Sequence, residues 1–182
     1  MKLVVLDRDG VINQDSDEFI KSPDEWLPIP GSLEAIARLS HAGYVVVIAS
    51  NQSGLARGLF DVTTLNAIHD KMHQAVSKAG GHIDGIFYCP HGPDDNCNCR
   101  KPLLGLMLQI GKRFSTTLEH VPTIGDSIRD LQAAEMAGAT PILVRTGKGA
   151  NSEKQLAEYF DYDVPVYEDL AEAVMHLLNN PV

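Results

Sequence analysis

Four apolar residues, Leu3-Val4-Val5-Leu6, run directly into the polar turn Asp7-Arg8-Asp9-Gly10. A continuous apolar run this short reads as a strand buried on both faces, which is the habit of parallel sheets. The same punctuation recurs along the chain. Tyr44 to Ala49 stops at Ser50-Asn51-Gln52-Ser53-Gly54, Ile83 to Tyr88 leads into a Cys/His loop, and Pro122-Thr123-Ile124 breaks at Gly125-Asp126. Pro141 to Val144 is a further strand. Helices alternate with these strands. Ser32 is positioned to cap one that runs to about His41, with Glu34 in its first turn and Gly43 near its end. Leu65, Ile68, Met72, Ala75, Val76 and Ala79 recur at helical spacing and predict an amphipathic helix over 63–79. Further helices are expected over 105–114, 131–137, 153–159 and 169–178, with a short strand at 164–167. Such alternation specifies an α/β fold, doubly wound about a mostly parallel sheet. Ligands bind these sheets outside the carboxyl ends of the strands. Asp7, Ser50 and Asp126 are therefore expected to meet, although they are far apart in sequence.

The 182 residues suit one domain, 1–182, and an apolar fraction of 44% is enough for a core. No stretch approaches the roughly 20 apolar residues that cross a bilayer, and the acidic start is unlike a signal peptide. A cytoplasmic monomer without a membrane partner is the expectation. A net charge of −9 with no basic run argues against a nucleic-acid partner. It leaves room for a small anionic substrate at a locally positive site.

Asp7 and Asp9 stand two apart at a strand end, so both side chains can face one site while Arg8 turns away. A carboxylate is a covalent nucleophile toward phosphorus. A second acid must protonate the leaving alkoxide and then deprotonate water. These needs assign attack to Asp7 and acid–base work to Asp9. Phosphate approaches two carboxylates only if a cation offsets them. Mg²⁺, a hard ion with oxygen ligands, suits the carboxylates of Asp7 and Asp126 and the backbone carbonyl of Asp9. Asp130, one turn beyond Asp126, is placed to orient a metal-bound water or a cationic side chain. Lys101 can neutralise charge on the transferring oxygens, and Ser50 with the amides after it can donate to the phosphate.

Three cysteines, all between Cys89 and Cys99, point to a metal rather than to disulfides. Cys89-x-His91-x5-Cys97-x-Cys99 offers three thiolates and one imidazole, a closed set for structural Zn²⁺. The loop 89–99 is rich in Pro, Gly, Asp and Asn and has no core of its own, so metal would replace one. Arg100 and Lys101 follow directly and would be fixed by it. His69 and His73 share a helix face without a third ligand and read as solvated. Trp26 reads as packing for the Asn13–Pro30 segment, and Arg145 and Lys148 as surface charge.

Asp-Arg-Asp-Gly-Val, Ser-Asn-Gln-Ser-Gly, Cys-Arg-Lys-Pro and Gly-Asp-Ser-Ile-Arg-Asp, in that order, resemble the four motifs of the haloacid dehalogenase superfamily of phosphatases. Asn51 to Gly58, Tyr88-Cys89-Pro90-His91 and Cys97 to Pro102 narrow the resemblance to the D,D-heptose 1,7-bisphosphate 7-phosphatase family, akin to the histidinol-phosphate phosphatases. The resemblance implies a magnesium-dependent phosphomonoester hydrolase with an aspartyl-phosphate intermediate, acting on a sugar phosphate of lipopolysaccharide precursor synthesis. Some relatives carry Lys where this chain has Ser127. The spacing of the motifs leaves little room for a separate cap domain, so the Asn13–Pro30 segment and the Cys/His loop are expected to cover the site. Substrate choice then falls to Arg100, to Asn51, Gln52 and Ser53, and to Asp15 with its neighbour Asp17. A histidinol-phosphate phosphatase and a receiver-like phospho-acceptor module are the alternatives.

Overall fold

In a computed structural model, which describes residues 1–180, six strands form one parallel sheet in the order β3-β2-β1-β4-β5-β6. The chain runs through β1 (Lys2–Leu6), α1 (Ser32–His41), β2 (Tyr44–Asn51), α2 (Val62–Lys78), β3 (Gly85–Cys89), α3 (Gly105–Phe114) and β4 (Pro122–Gly125). It continues through α4 (Ile128–Met136), β5 (Thr140–Val144), α5 (Gly149–Glu153), α6 (Leu156–Tyr159), β6 (Val166–Tyr167) and α7 (Leu170–Asn179). This is the doubly wound α/β arrangement expected from the alternation of runs.

Strand β1 shows why its apolar run is unbroken. Val4 and Leu6 face a core shared with α1, α2 and α7, while Leu3 and Val5 face a second core under α3 and α4. All four are buried. Each such side chain contributes about 1.5–3 kcal/mol by leaving water, so a polar substitution on either face is costly.

The sequence leads from β1 to β2 and β3 on one side, then returns to β4 on the other side of β1. The order therefore reverses between β1 and β4. Leu6 pairs with Ile124, and the amide of Asp7 donates to the carbonyl of Ile124 at 2.9 Å. The Asp7 turn and the Gly125-Asp126 turn thus emerge side by side.

Several boundaries differ from the sequence expectation. Ser32 does not cap α1. Gly31 holds that position with φ of 85°, and the Ser32 hydroxyl donates to the carbonyl of Ile12 at 2.6 Å. Strand β2 extends through Ser50 and Asn51, because both remain paired with β3. Helix α2 begins at Val62 because the Asp61 carboxylate accepts from the amide of Thr64. The helix expected over 153–159 is two short helices, α5 and α6, interrupted at Lys154-Gln155.

The Asn13–Pro30 segment is anchored rather than loose. Trp26 is 1% exposed within the first core. Lys71 of α2 donates to the carbonyls of Pro23 and Trp26 at 2.6 and 2.9 Å. Trp26 serves packing, as expected. Among the described residues, no helix is long and apolar enough to cross a membrane.

Candidate active site

A cavity of about 200 Å³ opens at the carboxyl ends of β1, β2 and β4. Asp7, Asp9, Lys101, Asp126 and Asp130 line it, together with Asp15, Asn51, Gln52, Ser53 and Arg100. Ser16, Phe19 and Ile20 of the covering segment complete one wall. Asp17 lies outside this wall, in the neighbouring depression with Lys148 and Gln155. The exposed side chains of Arg57, Arg129 and Lys148 add positive charge at the margin. A chain of net charge −9 thus presents a cationic rim above an acidic floor.

The floor is tightly built. Gly10 adopts φ of +84°, and a Cβ there would lie 2.0 Å from Oδ2 of Asp126. A Cβ at Gly147, φ +58°, would lie 2.2 Å from the same oxygen. Only glycine lets the two turns close on this carboxylate. Asp126 Oδ2 then accepts from the amide of Lys148 at 2.8 Å. Lys148, read from sequence as surface charge, therefore contributes its backbone to the floor, and its Nζ lies 3.7 Å from Asp15.

Lys101 is buried and donates to Asp7 Oδ1 at 3.0 Å and to the carbonyl of Ala49 at 2.7 Å, and its Nζ lies 2.6 Å from Asp130 Oδ1. Burial alone would lower its pKa, but the charges of Asp130 and Asp7 outweigh burial and hold the ammonium above its usual range. Burial likewise pushes Asp130 up, and the Lys101 charge outweighs it, so Asp130 stays ionised below the usual carboxylate range. Its other oxygen accepts from the amides of Asp126 and Ser127 and from the Ser127 hydroxyl. Asp130 is therefore committed to a cationic side chain and to the start of α4. Ser127, not Asp126, is the N-cap of that helix.

Asp7 and Asp126 have the opposite problem. Burial, then the charge of Asp130, raises the Asp7 pKa to about 7 against the opposing pull of Lys101. Burial, then the charges of Asp130 and Asp7, raises that of Asp126 to about 9. Oxygens of Asp7, Asp126 and Asp130 all lie within 4.8 Å of one another. Asp7 and Asp126, whose crowded hard oxygens must otherwise hold protons, fit a divalent cation such as Mg²⁺.

Asp9 is gripped from three sides. Arg8 Nε and Nη2 donate to its Oδ1 and Oδ2 at 2.9 and 3.1 Å, Asn13 Nδ2 donates to Oδ1 at 2.9 Å, and Gln52 Nε2 donates to Oδ2 at 3.1 Å. Arg8 turns away from the cavity, as expected, while Asp9 stays on its wall and is held from behind by the guanidinium. The turn after β2 is likewise engaged internally. Gln52 Nε2 also donates to the Ser50 hydroxyl at 2.8 Å, and Ser50 is 1% exposed, lying behind Gln52. The Asn51 amide exchanges two hydrogen bonds with the backbone of Lys101, at 2.9 and 3.1 Å. Asn51 and Gln52, expected to touch substrate, thus spend these groups on Lys101 and Asp9. Ser53 and Arg100 reach the cavity with fewer commitments, Arg100 directing Nη1 toward the His91 carbonyl at 3.5 Å.

His69 corrects the sequence reading. It is 6% exposed, not solvated, and its Nε2 lies 3.1 Å from Nη1 of Arg8. Burial, then the Arg8 charge, pushes its pKa down to about 3. His73 stays exposed on α2. Arg8, Arg57 and Arg129 lie within the motifs, but nothing in their spacing tells which way they point, and Asn13 carries no signal of its own in the sequence.

The four groups Cys89, His91, Cys97 and Cys99 converge within 4.8 Å, and the three cysteines are free. Cys89 Sγ lies 3.7 Å from Cys97 Sγ and 3.5 Å from His91 Nδ1, which is 3.3 Å from Cys99 Sγ. Tetrahedral zinc at a Zn–S distance near 2.3 Å sets ligand edges of about 3.8 Å. The Cys89–Cys99 edge is shorter, 2.8 Å. Burial above all raises the Cys89 thiol to about 12, a cost that a bound cation would reverse. The cluster is compatible with zinc. Lys101 lies two residues beyond Cys99, so the cluster and the Asn51 amide together hold the loop that carries it.

Comparison with known proteins agrees with this geometry. Residues 2–133 match the family model described as Polynucleotide kinase 3 phosphatase, and residues 98–173 match the HAD-hydrolase-like model. The chain is 60% identical to the D-glycero-beta-D-manno-heptose-1,7-bisphosphate 7-phosphatase of Bordetella bronchiseptica, over 98% of each chain. Identity to that of Pseudomonas aeruginosa is 49%, over 97% of each. The crystal structure of D,D-heptose 1,7-bisphosphate phosphatase from B. bronchiseptica, complexed with magnesium and phosphate, superposes with a TM-score of 0.95 at 59% identity, covering 98% of this chain and 99% of that one.

Proposed function

Because this chain belongs to the D-glycero-beta-D-manno-heptose-1,7-bisphosphate 7-phosphatase family of HAD-like hydrolases, we propose that it removes the 7-phosphate of that bisphosphate in the synthesis of lipopolysaccharide precursors. The observation that carries the chemistry is the placement of Asp7 and Asp9 on one cavity wall beside Lys101. Residues 1–182 act as one catalytic domain, a cytoplasmic monomer in this reading.

Asp7 Oδ1 is occupied by the amide of Arg8 and the ammonium of Lys101. Attack on phosphorus falls to Oδ2. The new Asp7 O–P bond forms as the bond to the sugar oxygen breaks, and Asp9 gives its proton to the departing alkoxide. Asp9 then takes a proton from water, whose oxygen attacks phosphorus, releasing inorganic phosphate and the Asp7 carboxylate. Lys101 offsets charge on the transferring oxygens throughout, with the backbone after Ser50 as a further donor, while the Ser50 hydroxyl, covered by Gln52, braces that turn from behind. Asp7, Asp126 and the carbonyl of Asp9 would hold Mg²⁺, which supplies Lewis-acid neutralisation of the phosphoryl group. Asp130 orients Lys101. Cys89, His91, Cys97 and Cys99 would hold structural Zn²⁺.

These residues recognise any phosphomonoester, so the leaving group is chosen at the rim. Arg100 offers a planar fork to a second phosphate or to sugar hydroxyls, and Asp15 and Ser53 offer hydrogen bonds. The test is phosphorus NMR of the products with parallel kinetics on histidinol phosphate. We expect the 1-phosphate to be retained and the bisphosphate to be the better substrate, with Arg100→Ala eroding that preference more than it slows a small aryl phosphate. Loss of the 1-phosphate, or preference for histidinol phosphate, would overturn the substrate and leave the phosphatase chemistry standing.

A further inference from the structure

Arg8 stands between the two carboxylates of the mechanism, yet no step above uses it. It is 0% exposed, a large cost for a guanidinium unless every face is engaged. One edge grips both oxygens of Asp9. The remaining nitrogen, Nη1, meets Nε2 of His69 at 3.1 Å, across 61 residues of sequence. Arginine has donors only, so Nε2 is the acceptor and the ring carries its proton on Nδ1. His69 sits in the middle of α2, two residues before the Lys71 that ties down the covering segment.

We propose that His69 is a positioning residue for Asp9, acting through Arg8. The His69 acceptor fixes the plane of the guanidinium. The guanidinium in turn fixes the plane of the Asp9 carboxylate, with Asn13 and Gln52 bracing one oxygen each. Proton transfer to a leaving oxygen depends on that plane, because a small misplacement of a catalytic group costs much of its advantage. Without an acceptor at Nη1, the buried donor is unpaired, the guanidinium tilts to seek another partner, and Asp9 turns with it.

A role confined to folding would slow every substrate alike. A role in aiming the acid acts where the leaving oxygen needs a proton. His69→Leu keeps bulk without an acceptor, and His69→Gln keeps an oxygen near the Nε2 position. Release of leaving group is measured under single-turnover conditions for the alkyl substrate and for an aryl phosphate whose phenolate departs unaided. We expect His69→Leu to slow the alkyl ester about tenfold or more, a part of the usual acid–base contribution, and the aryl ester less than about twofold. His69→Gln should recover most of the loss. Adding His69→Leu to Arg8→Lys should cost little more than Arg8→Lys alone. Equal slowing of both esters, equal behaviour of Leu and Gln, or multiplicative losses in the double variant would overturn the proposal. If His69→Leu does not fold, His69→Asn, whose acceptor falls short of Nη1, takes its place with the same expectation. Since His69 acts here only if Asp9 is the acid and base, Asp9→Asn is the reference. No split between esters in Asp9→Asn sinks the assignment of Asp9, whereas a split there with none in the His69 variants sinks the role of His69 alone.

Discussion

Lys101 Nζ lies 2.6 Å from Asp130 Oδ1, with both side chains buried. Removing one partner of a buried pair typically costs about 3–5 kcal/mol, and Asp7 remains to share Lys101, so Asp130→Asn should destabilise the protein by about 3 kcal/mol. Turnover should fall steeply while magnesium binding weakens but persists, because the Asp130 charge acts on the site although its oxygens are already committed to Lys101 and Ser127. Denaturant melts and magnesium titrations measure the two effects. A collapse of magnesium binding would make Asp130 a direct ligand instead.

Asp7→Asn preserves shape and removes the carboxylate proposed to attack phosphorus. Steady-state phosphate release should disappear, a loss of at least about 10⁴-fold, while circular dichroism remains that of the folded protein. Appreciable turnover by the purified variant would exclude Asp7 from attack.

Asp7 at about 7 and Asp126 at about 9 hold protons that the unfolded chain has released. Their folded values are raised, so the folded state binds more protons and stability falls as pH rises toward 9. In magnesium-free buffer the melting temperature should decline across pH 5–9, and added Mg²⁺ should flatten the decline. Calorimetry in buffers of different ionisation enthalpy should show protons released on binding at pH 7. A pH-independent affinity with no proton release would argue against both carboxylates as ligands.

His69 has the opposite sign. Its folded value, about 3, lies below the ordinary 6.5, so the unfolded state binds the extra proton between them. Stability from this residue is complete above about pH 6.5 and is lost as pH falls, by up to about 1.4 kcal/mol per pH unit. With magnesium saturating, the wild type should lose stability on acidification faster than His69→Gln. Parallel curves would mean that the ring is not held neutral.

A four-ligand cluster implies about one zinc per chain by elemental analysis, retained after EDTA has abolished activity through loss of magnesium. Cys97→Ser should lower the melting temperature and reduce turnover, because the loop it closes carries Arg100 and Lys101. Metal-free protein of unaltered stability and activity would leave the cluster without a structural role.

How much of this was legible beforehand follows from the range of the forces involved. The run Leu3 to Leu6, the span of α3 and the polar residues at strand ends are local features. Strand-end position therefore marked Asp7, Asp9 and Asp126 without a structure, the clustering of cysteines marked the Cys/His loop, and Lys101 was marked by its place after that loop and by the motif it shares with the family it resembles. Boundaries were less legible, because Gly31, Asp61 and Ser127 set helix starts through single backbone conformations or hydrogen bonds. Pairing was not legible at all. His69 reads as a polar residue on an amphipathic helix, and only the docking of α2 beside the β1 turn buries it against Arg8. Asn51 and Gln52 look free to meet substrate until the fold brings Lys101 and Asp9 within reach of their amides. The sequence by itself determined which chemical groups stand at the ends of which strands, because strand and turn propensities act over a few residues. Only the tertiary structure decided which of them neutralise, grip or aim one another, because hydrogen bonds and buried charges act over a few ångströms of space, whatever the separation along the chain.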